Sequence, residues 1–178
     1  MASNSRCLMD KLIVVNRQDQ VLGRKSKEAC HTLKGILHRG FSVFVINKRG
    51  QVLLQKRSQK KKLWPGFWSN TCCSHPKPGE TYLQAGKRRL KEELGFTCPL
   101  KFLLKFQYRA VYQDLGSENE ICAVLLGEDD GRVRPNLEEV TAVRWLDFNQ
   151  LKRELKAKPK VFTPWLRKEL SLFPPQGK

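Results

Sequence analysis

Two glutamates separated by a single residue, Glu118 and Glu120, form one pair of side chains in this sequence that could do chemistry. The surrounding residues predict a strand over 118–126, and residues two apart on a strand point to the same face. Two carboxylates on one face repel each other and are costly to bury unless a positive group joins them. The pair therefore indicates either a divalent metal site or an exposed polar face of a half-buried strand.

A second candidate is a carboxylate-rich segment that ends at a glycine. Arg88 and Glu92 are four residues apart, as are Arg89 and Glu93, so each pair can lie on one face of a helix. One interpretation is two surface ion pairs. The other is that the glutamates hold Mg²⁺ against a phosphate, because hard cations take oxygen ligands and leave positions open for a substrate.

The other reactive side chains are three histidines and six cysteines, namely His31, His38, His75, Cys7, Cys30, Cys72, Cys73, Cys98 and Cys122. Imidazole suits Zn²⁺ and Mn²⁺, and carboxylates suit Mn²⁺ and Mg²⁺, so the histidines are natural partners for the glutamate pair. No Cys-x-x-Cys pair occurs, and a bridge between the adjacent Cys72 and Cys73 would be strained. We therefore expect reduced thiols, most of which pack as small hydrophobic side chains.

Hydrophobic periodicity and turn residues predict the elements that must position these side chains. Strands are predicted over 12–15, 20–23, 41–46, 51–55, 100–110, 118–126 and 140–146, the first four forming two hairpins. Helices are predicted over 80–94, 148–155 and 163–172, with a loop over 60–68. This order predicts an α/β (α+β) fold, a mixed β-sheet flanked by helices, in a single domain over 1–178 with its core at about 27–170.

The charge of the chain predicts an anionic partner. Its 178 residues include 34 Lys+Arg and 17 Asp+Glu, a formal net charge of +17, which suits nucleic acid, an acidic membrane surface or a phosphorylated small molecule. No apolar run approaches the roughly 20 residues of a membrane span. Residues 1–10 also lack the apolar core of a secretory signal. We therefore expect no integral membrane segment and a cytoplasmic location.

The segment from Gly79 to Phe96, GETYLQAGKRRLKEELGF, resembles a Nudix box. The resemblance places the arginine of the box at Arg88 and its glutamates at Glu80, Glu92 and Glu93. Two positions depart from the pattern: Ser74 stands in place of the leading glycine, and Arg89 in place of the glutamate that normally follows the arginine. The loss of a carboxylate argues against ordinary diphosphate hydrolysis, because an arginine would bind the phosphates without helping to cleave them.

The rest of the chain resembles the type I isopentenyl-diphosphate isomerases, a family with a Nudix-like fold and an altered box of this kind. Matching segments run from about residue 27 to 165 and include Asn70-Thr-Cys-Cys-Ser-His-Pro76, Glu118-Asn-Glu120 and Thr163-Pro-Trp165. The first two segments together are the specific part of the match. The resemblance implies a metal-dependent shift of a double bond that interconverts isopentenyl diphosphate and dimethylallyl diphosphate.

The resemblance also implies two metal sites and a set of substrate contacts. One ion, Mn²⁺, Zn²⁺ or Mg²⁺, is implied at a site formed by His31, His38, His75, Glu118 and Glu120. A second, substrate-associated Mg²⁺ is implied at Glu93, with the backbone carbonyl of Cys73 nearby. The implied contacts to the diphosphate are Lys27, Arg57, Lys61 and Arg89, although Lys61 lies in a run of three lysines that could equally be a solvated face.

Moving a double bond requires a proton to be added to one carbon and another removed from its neighbour, and hence two acid/base groups on opposite faces of the substrate. The resemblance implies Cys73 and Glu120 for these parts, with Cys72 as the competing thiol. Protonating an alkene creates a cation-like centre, which an aromatic face can stabilise. Trp165 and Tyr108 match the aromatic residues of the family.

Two other functions remain open from the residues alone. A Nudix-type hydrolase acting on a nucleotide-like diphosphate would share the carboxylate-rich helix, but Arg89, Cys73 and the glutamate pair argue against it. A nucleic-acid-binding module would explain the positive charge, but it predicts base-stacking aromatic residues among Lys and Arg, which the sequence does not show. We expect a small-molecule diphosphate as the partner and no nucleic acid. The oligomeric state and the role of the basic residues over 152–178 are left open.

Overall fold

The computed structural model describes residues 11–172. The strands are β1 (Lys11–Val15), β2 (Val21–Ser26), β3 (His38–Ile46), β4 (Gln51–Arg57), β5 (Trp68–Ser69), β6 (Cys72–Ser74), β7 (Leu100–Tyr112), β8 (Gly116–Glu128) and β9 (Val140–Asp147). The helices are α1 (Lys27–His31), α2 (Tyr82–Leu94), α3 (Phe148–Ala157) and α4 (Pro164–Leu172), with a 3₁₀ turn over Pro159–Val161. Residues 1–10, which include Cys7 and over which the sequence predicts no secretory signal, lie outside the described residues. The single domain over 1–178 stays a prediction.

The strand β3 occupies the position that organises the rest of the sheet. It pairs in parallel with β8 along its whole length, from His38 opposite Glu120 to the end of the strand. Its other edge pairs antiparallel with the short β6, where Ser42 lies opposite Cys73. The strands β7 and β8 form a long antiparallel hairpin. The sheet is therefore mixed, with β6 and β8 on either side of β3.

The two largest core clusters of the described residues lie on opposite faces of this sheet. On one face, Leu90 and Leu94 of α2 lie in the same cluster as Val43 of β3. On the other face, Leu151 of α3 and Leu166 of α4 lie in the same cluster as Phe44, the next residue of β3. Alternate residues of a strand point to opposite faces, so β3 is apolar on both sides. Burying a side chain of this size contributes roughly 1.5–3 kcal/mol. The predicted sheet flanked by helices is confirmed.

The predicted hairpin of β3 and β4 is present as strands but not as a ladder. The two strands pair only at Ile46 and Val52, and β4 instead pairs along its length with β9. The reason is that β6 and β8 take both edges of β3. The elements missing from the sequence prediction are α1, β5, β6 and the 3₁₀ turn, which are two to five residues long and too short to show a periodicity.

The carboxylate-rich helix α2 begins two residues later than predicted, because Thr81 caps it. The Thr81 side chain accepts a hydrogen bond from the backbone N–H of Gln84, and the Gln84 side chain accepts one from the backbone N–H of Thr81, a capping box. Gly95 ends the helix with φ of 77°, a conformation that favours glycine. Within residues 11–172, no helix is long and apolar enough to cross a membrane.

Candidate active site

The three histidines and the glutamate pair meet in one cluster. One ligand atom from each of them lies within 4.8 Å of all the others: His31, His38, His75, Glu118 and Glu120. The fold brings them from four places, namely the end of α1, the start of β3, the residue after β6, and β8. The histidine ring centroids are 4.8–5.2 Å apart. Only the two glutamates are close in sequence, so this cluster of candidate ligands is a product of the tertiary structure.

The hydrogen bonds of two of these histidines leave Nε2 free for a metal. His31 Nδ1 lies 2.6 Å from the backbone oxygen of Lys27, and His38 Nδ1 lies 2.7 Å from that of Ile36. A carbonyl oxygen can only accept, so each Nδ1 carries a proton, and in the neutral ring each Nε2 then presents a lone pair. Backbone contacts of this kind orient histidines that bind metals.

A divalent ion fits the donor atoms of this cluster. Nε2 of His31, Nε2 of His38 and Oε2 of Glu118 are buried without a hydrogen-bond partner in the described residues. His31 Nε2 and Glu118 Oε2 are 2.8 Å apart, although they do not have hydrogen-bond geometry. Buried polar atoms without partners are costly. An ion ligated by these nitrogens and oxygens would remove that cost, and both imidazole and carboxylate suit Mn²⁺ and Zn²⁺.

Glu120 belongs both to this cluster and to the catalytic set implied by the sequence. Its Oε1 lies 2.8 Å from His75 Nε2, and its Oε2 accepts a hydrogen bond of 3.0 Å from the Tyr108 hydroxyl. Burial alone would raise the pKa of Glu120, but the close imidazoles of His38, at 3.5 Å, and His75 outweigh it and hold that pKa well below its usual range. Burial lowers the pKa of His75 to about 4. Glu120 is therefore ionised beside a neutral imidazole.

Gly40, which lies on β3 between His38 and Ser42, makes room for the Glu120 carboxylate. A Cβ at this position would overlap the carboxylate oxygens of Glu120. We expect Gly40→Ala to displace Glu120 and lower kcat by about 100-fold, the scale of a 1 Å misplacement. The measurements are kcat from steady-state kinetics and the amount of metal bound per protein, each compared with the unsubstituted chain.

Gly50→Ala provides the matched control for Gly40→Ala. Gly50 has φ of 75° and open space around its Cβ position, so alanine there strains the backbone without touching the site. It should lower the free energy of unfolding and leave kcat unchanged. A Gly40→Ala protein with the turnover of the unsubstituted chain would show that Glu120 needs no such space.

Cys73 is the thiol that faces the cavity. Its Sγ accepts a hydrogen bond of 3.0 Å from Trp165 Nε1 and donates one of 2.5 Å to Asn70 Oδ1. The hydroxyls of Ser42 and Ser69 lie 3.7 and 3.6 Å from the same sulfur. Burial raises the pKa of Cys73 to about 12, so the group rests as a thiol.

Cys72 points the other way, as alternation on a strand requires. It is fully buried in the core cluster that contains Leu90 and Leu94 of α2. The structure therefore separates two adjacent cysteines into a core residue and a cavity residue. Within residues 11–172, none of the cysteines forms a disulfide.

A cavity of about 400 Å³ joins Cys73 to Glu120. Cys73 lies on β6 and Glu120 on β8, with β3 between them, and neighbouring strands are about 4.8 Å apart. The two groups thus stand on either side of a strip about 10 Å wide. The remaining cavity wall includes Tyr108, Glu118, His31 and His75 together with the four predicted diphosphate contacts, Lys27, Arg57, Lys61 and Arg89.

Three of these four cations are held in place by neighbouring groups. Arg57 donates to the backbone oxygens of Trp64 and Leu63 at 3.0 and 2.8 Å, and its guanidinium carbon lies 5.3 Å from the centre of the Trp165 ring. Lys61 pairs with Glu139. Burial opposes the charge of Arg89, but Glu93 outweighs it and raises the pKa of Arg89, so its positive charge is permanent.

The structure does not bring Glu93 into the histidine and glutamate cluster. Its carboxylate is only 2% exposed; it pairs with Arg89 at 2.5 Å and accepts a hydrogen bond of 3.1 Å from Gln55. The ion pair expected at Arg88 and Glu92 is present at 3.2 Å on the surface. A second Mg²⁺ at Glu93 stays a prediction. Trp165 is buried and contacts Cys73 through its N–H, so a role for its ring face as a cation stabiliser also stays a prediction.

Sequence reasoning missed four residues around these groups: Ser42, Ser69, Asn70 and Gly40. Asn70 stands in the matched segment 70–76, so its presence was a signal, although its contact with the thiol was not. Ser42 lies opposite Cys73 in the register of β3 and β6. That register depends on the pairing of distant strands, which no spacing in the sequence reports.

The fold and the site define a Nudix-fold protein whose cluster of three histidines and two glutamates could hold a metal ion. The NUDIX domain family matches residues 36–166. A crystal structure of the Deinococcus radiodurans protein DR0079 aligns with a TM-score of 0.74, at 20% identity, over 90% of this chain and 97% of that one. A MutT NUDIX hydrolase from Burkholderia pseudomallei aligns with a TM-score of 0.62, at 21% identity, over 78% of this chain and 98% of that one. At these identities the likeness shows the fold.

Proteins that are similar in sequence identify the family within the Nudix fold. An isopentenyl-diphosphate Delta-isomerase of Saccharopolyspora erythraea is 41% identical over 165 residues, which are 92% of this chain and 85% of the relative. Isopentenyl-diphosphate Delta-isomerase 1 of Photorhabdus laumondii is 39% identical over 163 residues, 90% of this chain and 93% of the relative. The chain belongs to the isopentenyl-diphosphate Delta-isomerase family.

Proposed function

We propose that this protein is an isomerase that interconverts isopentenyl diphosphate and dimethylallyl diphosphate. The observation that carries the proposal is the placement of Cys73 and Glu120 on opposite sides of β3, facing one cavity. A double-bond shift needs one group to deliver a proton and another to remove one from the opposite face. A five-carbon chain held above β3 lies between such groups.

The two acid/base groups differ in their surroundings in a way that suits the reaction. Glu120 is ionised, and its Oε2 accepts a hydrogen bond of 3.0 Å from the Tyr108 hydroxyl. A proton can therefore be held and passed at Glu120 Oε2. Cys73 is a thiol held by Trp165 and Asn70. A closed site shields a cation-like centre from capture by water.

At the other end of the substrate, the cations Lys27, Arg57, Lys61 and Arg89 line the cavity wall. Arginine matches the geometry of phosphate oxygens, and fixed cations lose little freedom when they bind. We propose that these four groups hold the diphosphate and so position the double bond between Cys73 and Glu120. Glu93, where the substrate-associated Mg²⁺ is predicted, pairs with Arg89 of this cavity wall.

The metal proposed for the cluster is Mn²⁺, Zn²⁺ or Mg²⁺, ligated by the three histidines, Glu118 and Glu120. Such an ion supplies positive charge that offsets two buried carboxylates. The chain's own residues then fix the orientation of Glu120 from the other side, through Tyr108. A cytoplasmic location stays a prediction.

Incubation with isopentenyl diphosphate and Mg²⁺ in deuterated water tests the proposed function. We expect dimethylallyl diphosphate that carries deuterium, because the proton delivered to the substrate exchanges with solvent, and no release of phosphate. Proton NMR of the product and a phosphate assay are the measurements. Phosphate without isomer would overturn the proposal in favour of hydrolysis, the activity of Nudix proteins that retain a glutamate where this chain has Arg89.

A further inference from the structure

A carboxyl group on α4 has no place in the mechanism described above. Glu169 is 1% exposed, and within residues 11–172 it forms no ion pair. Its Oε2 is buried without a hydrogen-bond partner in the described residues. Acidic side chains are rarely buried without a partner, because desolvation of the charged form is costly. Glu169 therefore requires an explanation.

Glu169 stands at the end of a short polar chain that leads to Cys73. Its Oε1 lies 4.0 Å from Cys122 Sγ, which lies 3.5 Å from Ser42 Oγ. Ser42 Oγ in turn lies 3.7 Å from Cys73 Sγ. The surroundings are otherwise apolar, since Leu166 and Leu170 of the same helix are core residues. The carboxyl group is thus connected to the cavity thiol through two small polar side chains.

The charge state of Glu169 follows from this environment. Burial raises the pKa of Glu169 to about 8, while the Ser42 hydroxyl opposes the rise and the charge of Glu120 adds to it. The other titratable groups facing it are Cys122 of β8 and Cys73 of β6. Burial, followed by the charge of Glu169, raises the pKa of each thiol. At neutral pH the group is a carboxylic acid, which can both donate and accept a hydrogen bond.

We propose that Glu169 is a positioning residue for Cys73, acting in its neutral form through Cys122 and Ser42. The neutral acid completes the hydrogen-bonded chain behind the thiol and leaves no net charge there. Loss of its proton to solvent places a negative charge behind Cys73 and disfavours any negative charge that develops on the sulfur. The inference rests on the proposed function, because it assigns Glu169 a part in the same turnover.

The first test is the pH dependence of turnover in the metal-loaded protein. We expect kcat of the unsubstituted chain to fall as pH rises through about 8, and kcat of Glu169→Gln to lack this fall. Glutamine keeps a donor and an acceptor but cannot ionise, so its kcat at pH 6.5 should stay within about twofold. KM should be unchanged, because Glu169 does not line the cavity. Glu128→Gln, an exposed carboxylate on β8, is the matched control and should keep the original profile.

The second test reads the same ionisation without any substrate. The pKa of glutamate is about 4.3 in an unfolded chain, and that of Glu169 is about 8 in the folded one. The folded state therefore binds the proton more tightly, and this stabilisation is complete below about pH 4.3 and lost as pH rises to about 8. Relative to Glu169→Gln, the unfolding equilibrium constant of the unsubstituted chain should rise by about tenfold per pH unit across this window. Urea denaturation at pH 5, 6.5 and 8 measures it.

The two readouts separate the possible failures. A stability difference that does not change with pH would show that Glu169 does not titrate in this range, and the inference would be wrong. The expected stability difference with identical kcat profiles for both proteins would show a purely structural residue, which also overturns the positioning role. If the unsubstituted chain formed no isomer at any pH, the proposed function itself would fail, and the denaturation data would still report the ionisation of Glu169.

Discussion

Cys73→Ala is expected to lower the rate of isomer formation by about 10³-fold or more, close to the upper range for the loss of one acid/base group. Alanine removes the sulfur that faces the cavity opposite Glu120 and leaves the backbone of β6 in place. The proposed diphosphate contacts lie elsewhere, so KM should change little and the loss should appear in kcat. Steady-state formation of dimethylallyl diphosphate from isopentenyl diphosphate measures the effect.

Cys72→Ala is the matched control, since it changes the same residue type one position away. Cys72 is fully buried in the core against Leu90 and Leu94, and its loss leaves a small cavity that should cost about 1 kcal/mol of stability. Most of the turnover should remain. Equal losses of kcat from the two substitutions would mean that the wrong thiol has been assigned.

His75→Ala is expected to abolish tight metal binding, the second large effect. His75 Nε2 faces the shared carboxylate oxygen of Glu120 at 2.8 Å, and its removal deletes one of five convergent donors. Loss of residues that merely orient ligands typically costs 10–100-fold in affinity, so loss of a ligand should cost more than about 100-fold. Metal content by mass spectrometry after gel filtration measures the effect, and activity should fall with it.

Glu128→Gln again provides a control, because it removes an exposed carboxylate of the same strand that carries Glu118 and Glu120. It should retain the metal content of the unsubstituted chain. Treatment with a chelator should remove the ion and the activity together, and re-addition of Mn²⁺, Zn²⁺ or Mg²⁺ in separate samples should identify the ion that restores turnover. Equal amounts of tightly held metal in His75→Ala and the unsubstituted chain would contradict the site.

The features that depend on neighbouring residues were predictable from the sequence. The spacing of Glu118 and Glu120 determines that both carboxylates lie on one face of β8, because side chains on a strand alternate. The α2 helix was predicted to within two residues, since its capping and its glycine stop are encoded within one segment. The same holds for most strands of the sheet. Among the described residues, the missed elements are α1, β5, β6 and the 3₁₀ turn over Pro159–Val161, which are too short for a periodicity.

Features that depend on strand pairing were not predictable in this way. The hydrophobic pattern over 41–55 predicts two strands and a turn, and both strands exist, but it does not say which neighbours they choose. The strand β3 pairs with β6 and β8 along its edges, and it therefore pairs with β4 at one position only. Because that choice depends on the burial of both faces of β3, it is decided by the whole sheet.

By itself, the sequence determined the fold class, the family resemblance and the residue types able to bind a metal and a diphosphate. The tertiary structure decided which of two adjacent cysteines faces the cavity and where the carboxyl group of Glu169 lies. It also placed the Glu120 carboxylate against Gly40 of β3, where a side chain would overlap it. The physical reason is that these properties depend on contacts between residues far apart in the chain. Charge and spacing act over a few residues, whereas register, burial and the exclusion of water are properties of the packed sheet and its helices.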